Sequence, residues 1–227
     1  MYINGYFEDP DTQVSLAEIN DVIDVSDLGQ VVGSGMKTSF FQPINQSFGK
    51  SLKDPILVVT KEASKQHIIN NVLNPDFTED IDIFPAAPNK KDEEFLSLLG
   101  ILDTEWYIFY TERLEVFDIP GYMPLAQALT GCTDQLWGTK FNSYELIQAI
   151  PLYIDLLEEE ISKYCEAVSY VRTEEDKILE KRIFKAICKS LQVVTELNLN
   201  NFSIDIHSGQ FLLSGDEIVC TDPIYFD

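Results

Sequence analysis

Asp205, His207, Gln210 and Asp222 are the residues of this chain whose types and spacing could do chemistry together. The first three share one polar stretch, Asp205-Ile206-His207-Ser208-Gly209-Gln210, which follows the apolar Phe202-Ser203-Ile204 and leads into Phe211-Leu212. Twelve residues after Gln210, Asp222 closes the run Ile218-Val219-Cys220-Thr221 and precedes Pro223. Two carboxylates and an amide carbonyl carried by one loop and one hairpin suit a hard divalent cation and the phosphates it neutralises. Each residue also has a plainer use. Asp205 could bond its own backbone in a turn, Asp222-Pro223 is a common turn opening, and His207 suits holding the loop better than moving protons.

The elements that must position these residues fall into two halves. Leu28 to Phe41 reads as strand, glycine turn at Gly33 and Gly35, and strand. The continuous apolar run Pro55-Ile56-Leu57-Val58-Val59 predicts a buried strand ending at Lys61. Residues 62–73 read as a helix stopped by Asn74-Pro75, followed by a short strand at Ile81–Phe84 and a short helix at Glu93–Leu99. Glu105–Tyr110 is the expected last strand and Arg113–Phe117 the segment leaving it. Residues 1–26 are expected to be an extension packed on this half, and Pro120-Gly121 marks its end.

Beyond that point helices are expected. Asn142-Ser143-Tyr144-Glu145 has the spacing of a capped helix start, and Leu146, Ile150, Ile154, Leu157 and Ile161 recur at helical intervals, with Pro151 as a kink or restart. Glu180–Leu197 is a second amphipathic helix. Strands, then helices, then a loop-bearing hairpin make an α+β protein of two lobes, residues 1–119 and 120–227.

In this order the residues resemble the protein-kinase-like superfamily. Gly33-Ser34-Gly35-Met36-Lys37-Thr38 is similar to the glycine-rich phosphate loop, with Thr38 in place of its third glycine. Val58-Val59-Thr60-Lys61 resembles the strand that ends in the nucleotide-binding lysine, Asp205 to Gln210 the catalytic loop, and Asp222 the metal-binding aspartate. The wording Asp-Ile-His-Ser-Gly-Gln is closest to the aminoglycoside- and choline-kinase-like branches, and similar endings occur in small phage proteins. The resemblance implies a bilobal minimal kinase-like fold, an antiparallel sheet N-lobe and a helical C-lobe. It further implies ATP and Mg²⁺ as cofactors. Gly33, Gly35 and Lys61 would bind the nucleotide, Asp205 would act on the acceptor hydroxyl, and Gln210 and Asp222 would hold the metal.

The departures set the expected function. Gln210 stands where the family has Asn, one methylene shorter, and Ser203 where it usually has His. No glutamate on the 62–73 helix is placed to pair with Lys61, and five residues follow Asp222, so the expected C-lobe is a reduced one. A displacement of roughly 1 Å in such a site can cost on the order of 10²-fold in rate. The preferred expectation is therefore a pseudokinase-like protein that binds a basic protein partner, with residual ATP and Mg²⁺ binding left open. An active small phosphotransferase and an acidic inhibitor imitating nucleic-acid charge are the alternatives.

Composition bears on partners. A net charge of −22 in 227 residues repels nucleic acid and anionic membranes and favours a basic protein partner or divalent cations. The runs Glu158-Glu159-Glu160 and Glu174-Glu175-Asp176 read first as solvated helix faces. Four dispersed cysteines without a paired spacing argue against a zinc site and for free, mostly buried thiols in a reducing compartment. The first residues lack the basic and apolar regions of a secretory leader, and no apolar stretch approaches the ~20 residues of a membrane span. A cytoplasmic location is the expectation.

Overall fold

The computed structural model of the chain describes residues 14–20, 26, 28–34, 38–44, 54–61, 107–117, 119, 121–136 and 138–226. These form an α+β structure of helices and small antiparallel sheets. The chain divides into two compact units, residues 1–70 with 74–115, and residues 71–73 with 116–227.

In the first unit, helix α1 (Val14–Asn20) precedes strands β1 (Gly29–Ser34), β2 (Thr38–Pro43), β3 (Pro55–Thr60) and β4 (Tyr107–Glu112). The strands form one sheet in that order, each pair antiparallel. Strand β3 is apolar on both faces, and Leu57, Val58 and Val59 are all buried, as an interior strand covered on both sides requires. Leu57 and Val59 share a core with Ile19, Leu28 and Phe41, against which Leu16 and Val31 pack. Gly29, with φ of +129°, cannot be replaced without strain, because a Cβ there would stand 2.0 Å from the Gln42 carbonyl oxygen. The expected helix over 62–73, the strand at 81–84, the helix at 93–99 and Gly35 lie outside the described residues. A two-residue strand, β5 (Glu115–Val116), comes next in the chain.

The second unit holds helices α2 (Met123–Leu136), α3 (Ser143–Ala167) and α4 (Glu174–Glu196), with α3 packed against both others. Leu146, Ile150, Tyr153, Leu157, Ile161 and Cys165 make the buried stripe of α3. Its start is a full capping box: the Asn142 side chain accepts from the Glu145 N–H at 2.8 Å, and the Glu145 carboxylate accepts from the Asn142 N–H at 3.1 Å. A single helix continues through the exposed Pro151, where the sequence predicts a kink or restart. Helix α4 starts six residues before the expected Glu180, because Thr173 and Asp176 form a second capping box.

After α4 come β6 (Ser203–Ile204), a 3-10 turn (Ser208–Gln210), β7 (Phe211–Ser214), β8 (Glu217–Cys220) and β9 (Ile224–Tyr225). Strands β7 and β8 are an antiparallel hairpin closed by Gly215-Asp216, with Gly215 at φ of +61°. Strand β5 lies beside β7, and β6 pairs with β9. Helix α4 packs on β8. Arg182 donates to the Asp216 carbonyl at 2.6 Å, and Lys185 and Lys189 reach the Glu217 carboxylate at 3.7 and 3.3 Å. Among the described residues no helix is long and apolar enough to cross a membrane.

Candidate functional site

Strand β6 brings the chain to Asp205, and two buried anchors fix that arrival. Phe202, fully buried, exchanges backbone hydrogen bonds with Phe141, at 2.7 and 3.2 Å. The Asp205 N–H then donates to the Pro223 carbonyl at 3.0 Å, so the segment carrying Asp205 adjoins the one carrying Asp222. Both carboxylate-bearing residues are half-buried, and the charges of both bear on the buried Cys220 at the end of β8. Burial, above all, pushes the Cys220 thiol up to about 12, while hydrogen bonds from the Asp222 N–H and Ser190 oppose the shift.

The loop between the carboxylates is held by its own side chains. His207 Nδ1 accepts from the Gly209 N–H at 3.2 Å, which leaves the imidazole proton on Nε2. The Gln210 side-chain oxygen accepts from the His207 N–H at 3.2 Å, and the Gln210 N–H donates to the His207 carbonyl at 3.1 Å. The Gln210 carbonyl in turn accepts from Thr221, and Thr133 donates to the Ile206 carbonyl at 3.0 Å. Gln210 is 4% exposed. Replacing it with alanine removes a buried side chain and leaves the part-buried His207 N–H without its acceptor, so Gln210→Ala is expected to cost about 1–3 kcal/mol in urea denaturation. A cost indistinguishable from that of an exposed surface change would deny the side chain this role.

The residues expected to hold nucleotide lie in the first unit. Gly33 is inside β1, paired with Phe40 and following an irregularity after Val31; a Cβ there would stand 3.1 Å from the Phe40 ring. Lys61 follows β3 and its ammonium lies 2.8 Å from the Glu18 carboxylate of α1. No motif in the sequence singles out Glu18. Its one signal is the apolar pair Leu16 and Ile19, which marks the core-facing side of α1 and leaves Glu18 off that side.

Asp205 and Asp222 carry oxygen donors of the kind Mg²⁺ takes, and their segments meet at the backbone bond from Asp205 to Pro223. The Gln210 oxygen fits less well, since it is already accepting a backbone N–H. Among the described residues no group of three His, Cys, Asp or Glu side chains is arranged to hold a metal ion.

A second polar cluster has no local signal in the sequence. Glu180 of α4, 7% exposed, accepts from the Tyr122 hydroxyl at 2.5 Å and lies 3.5 Å from the Arg172 guanidinium. Burial, and then the hydrogen bond to Glu180, raise the Tyr122 phenol well above its usual range. The Tyr170 ring packs on Tyr122 with centroids 6.0 Å apart, and its hydroxyl donates to Asp176 at 3.0 Å. Beside this cluster a groove of about 480 Å³ is lined by Ser162, Cys165, Glu166, Ser169, Tyr170, Val171 and Arg172.

No protein-family model, no curated protein and no solved structure matches this chain.

Proposed function

We propose that this protein acts by binding a basic protein partner, on a scaffold of kinase-like ancestry whose catalytic-type loop now serves the fold. The observation that carries this reading is the use of Gln210. The side chain that a phosphotransferase would offer to its metal is buried and accepts the His207 N–H instead. The net charge of −22 supplies the attraction, which acts at long range and weakens with salt.

One observation favours a second reading, an ATP- and Mg²⁺-dependent phosphotransferase. The Asp205 N–H bond to the Pro223 carbonyl sets the segment of Asp205 beside that of Asp222, which supports this reading. In that reading Asp205 acts on the acceptor hydroxyl and Asp222 would hold the cation, which would supply charge neutralisation, while Lys61 of the other unit is the residue that would contact nucleotide phosphate. A third reading, an acidic inhibitor that imitates nucleic acid, is the same attraction aimed at a nucleic-acid-binding protein.

Thermal unfolding with and without Mg-ATP separates the first two. A nucleotide at ~100 times its Kd stabilises the native state by roughly 2.7 kcal/mol. The binding reading expects no shift in melting temperature with Mg-ATP, together with salt-sensitive retention of basic proteins on the immobilised chain. A shift that disappears in Asp222→Ala would install the phosphotransferase reading in its place.

A further inference from the structure

The turn between α3 and α4 exposes apolar side chains to solvent. Val168 is 52% exposed, Tyr170 40% and Val171 84%. Ile178, 59% exposed, stands one turn above Glu174 and Glu175 on the solvent side of α4. Clustered exposed apolar groups of this kind mark contact surfaces when they adjoin a concavity. Here they do: Tyr170 and Val171 line the 480 Å³ groove.

The turn is also firmly held. Tyr170 donates its N–H to the Cys165 carbonyl at 2.8 Å and its hydroxyl to Asp176, while its ring rests on Tyr122. Arg172 is tied to Glu180, and Thr173 is locked in its capping box. Ser169 takes a left-handed φ of 56° within this frame. A surface ordered before contact loses little conformational freedom on binding.

Charge selects the occupant. Glu166 lines the groove, and Glu174 and Glu175 stand at the adjoining start of α4, all three exposed. Glu174 pairs with Lys177 at 2.6 Å, whereas Glu166 and Glu175 make no ion pair among the described residues. Among the described residues of the groove wall the one cation, Arg172, is matched by buried Glu180. We infer that this turn and its groove dock a segment of a basic protein, with an apolar side chain seated against Tyr170 and Val171 and flanking Lys or Arg side chains facing Glu166 and Glu175. The inference rests on the basic-partner reading and gives it a location.

The test uses the full chain and two fluorescein-labelled peptides of about a dozen residues, one of lysine and leucine, the other of lysine and serine with the same charge. The lysine–leucine peptide is expected to bind, and Val171→Ser to weaken it at least about tenfold without changing the lysine–serine peptide. The pair Glu166→Gln and Glu175→Gln should weaken both peptides. Leu152→Ser, at a comparably exposed position (68%) elsewhere on α3, should weaken neither. Val171 and Leu152 are solvent-facing, so circular dichroism is expected to be unchanged in both variants. Equal binding to wild type and Val171→Ser, or an equal loss in Leu152→Ser, overturns this location and leaves the basic-partner reading standing. If neither peptide binds even at low salt, the basic-partner reading falls with it.

Discussion

Phe202→Ala is expected to remove about 3–5 kcal/mol of stability, read as a lower urea midpoint with an unchanged slope. Phe202 is among the largest fully buried side chains, and its ring meets Phe226 edge-on, with centroids 6.1 Å apart. Its backbone bonds to Phe141 survive in alanine, so the loss reports on the side chain alone. The consequence for the site is direct. Phe202 seats the strand that delivers Asp205, and a cavity there loosens the geometry between the two carboxylate segments. Leu152→Ala, at an exposed position, should stay within about 0.5 kcal/mol and serves as the reference. A loss for Phe202→Ala no larger than that reference would mean that β6 is held by something other than this ring.

The second large expectation concerns alkaline pH. Burial is the main cause that pushes the Cys132 and Cys220 thiols from 9.0 up to about 12, and it raises the Tyr122 and Tyr153 phenols as well. The sign follows from proton counts. Between these values the unfolded thiol has lost its proton and the folded one keeps it, so the unfolded state binds fewer protons and stability falls as pH rises. The contribution is complete below about pH 9 and disappears progressively up to about pH 12. Each thiol contributes a slope of about 1 kcal/mol per pH unit within that window, and the tyrosines add to it above about pH 10. Urea midpoints taken at about pH 8, 9 and 10 should fall increasingly steeply. Cys132→Ala with Cys220→Ala should start from lower stability and show a visibly flatter decline. The same slope in the double variant would remove the thiols as its source.

How far the amino-acid sequence carries depends on whether the cause of an element is local. The strand at Pro55–Thr60, the capped start at Asn142 and the hairpin around Gly215 are legible from it, because each has a cause close at hand: an unbroken apolar run, a capping box, a glycine at positive φ. Helix α2 is not. Pro124 and Gly131 obscure a core-facing set at Leu125, Ala128, Leu129 and Cys132 that does follow helical spacing. Proline suits the first turn, and Gly131 sits where α2 comes close to Glu160 of α3, a reason only the packing reveals. The long-range partners are equally hidden. Nothing near Glu180 in sequence points to Tyr122, 58 residues away, and nothing near Lys61 points to Glu18. The candidate site is read in the sequence as a loop with two carboxylates, whereas the use of Gln210 within that loop emerges only from its geometry.

The anchoring of α4 to the hairpin has a consequence for how this molecule travels. Residues 177–189 hold five of the chain's 16 lysine and arginine side chains and a single carboxylate, in a protein whose net charge is −22. Three of those five cations are fixed against Asp216 and Glu217. The remainder of the chain is therefore more negative than the total suggests, and the positive charge is concentrated along one helix. Within the second unit a polycation is repelled along this stretch of α4 and drawn to the acidic surface elsewhere, so encounters are steered away from that stretch.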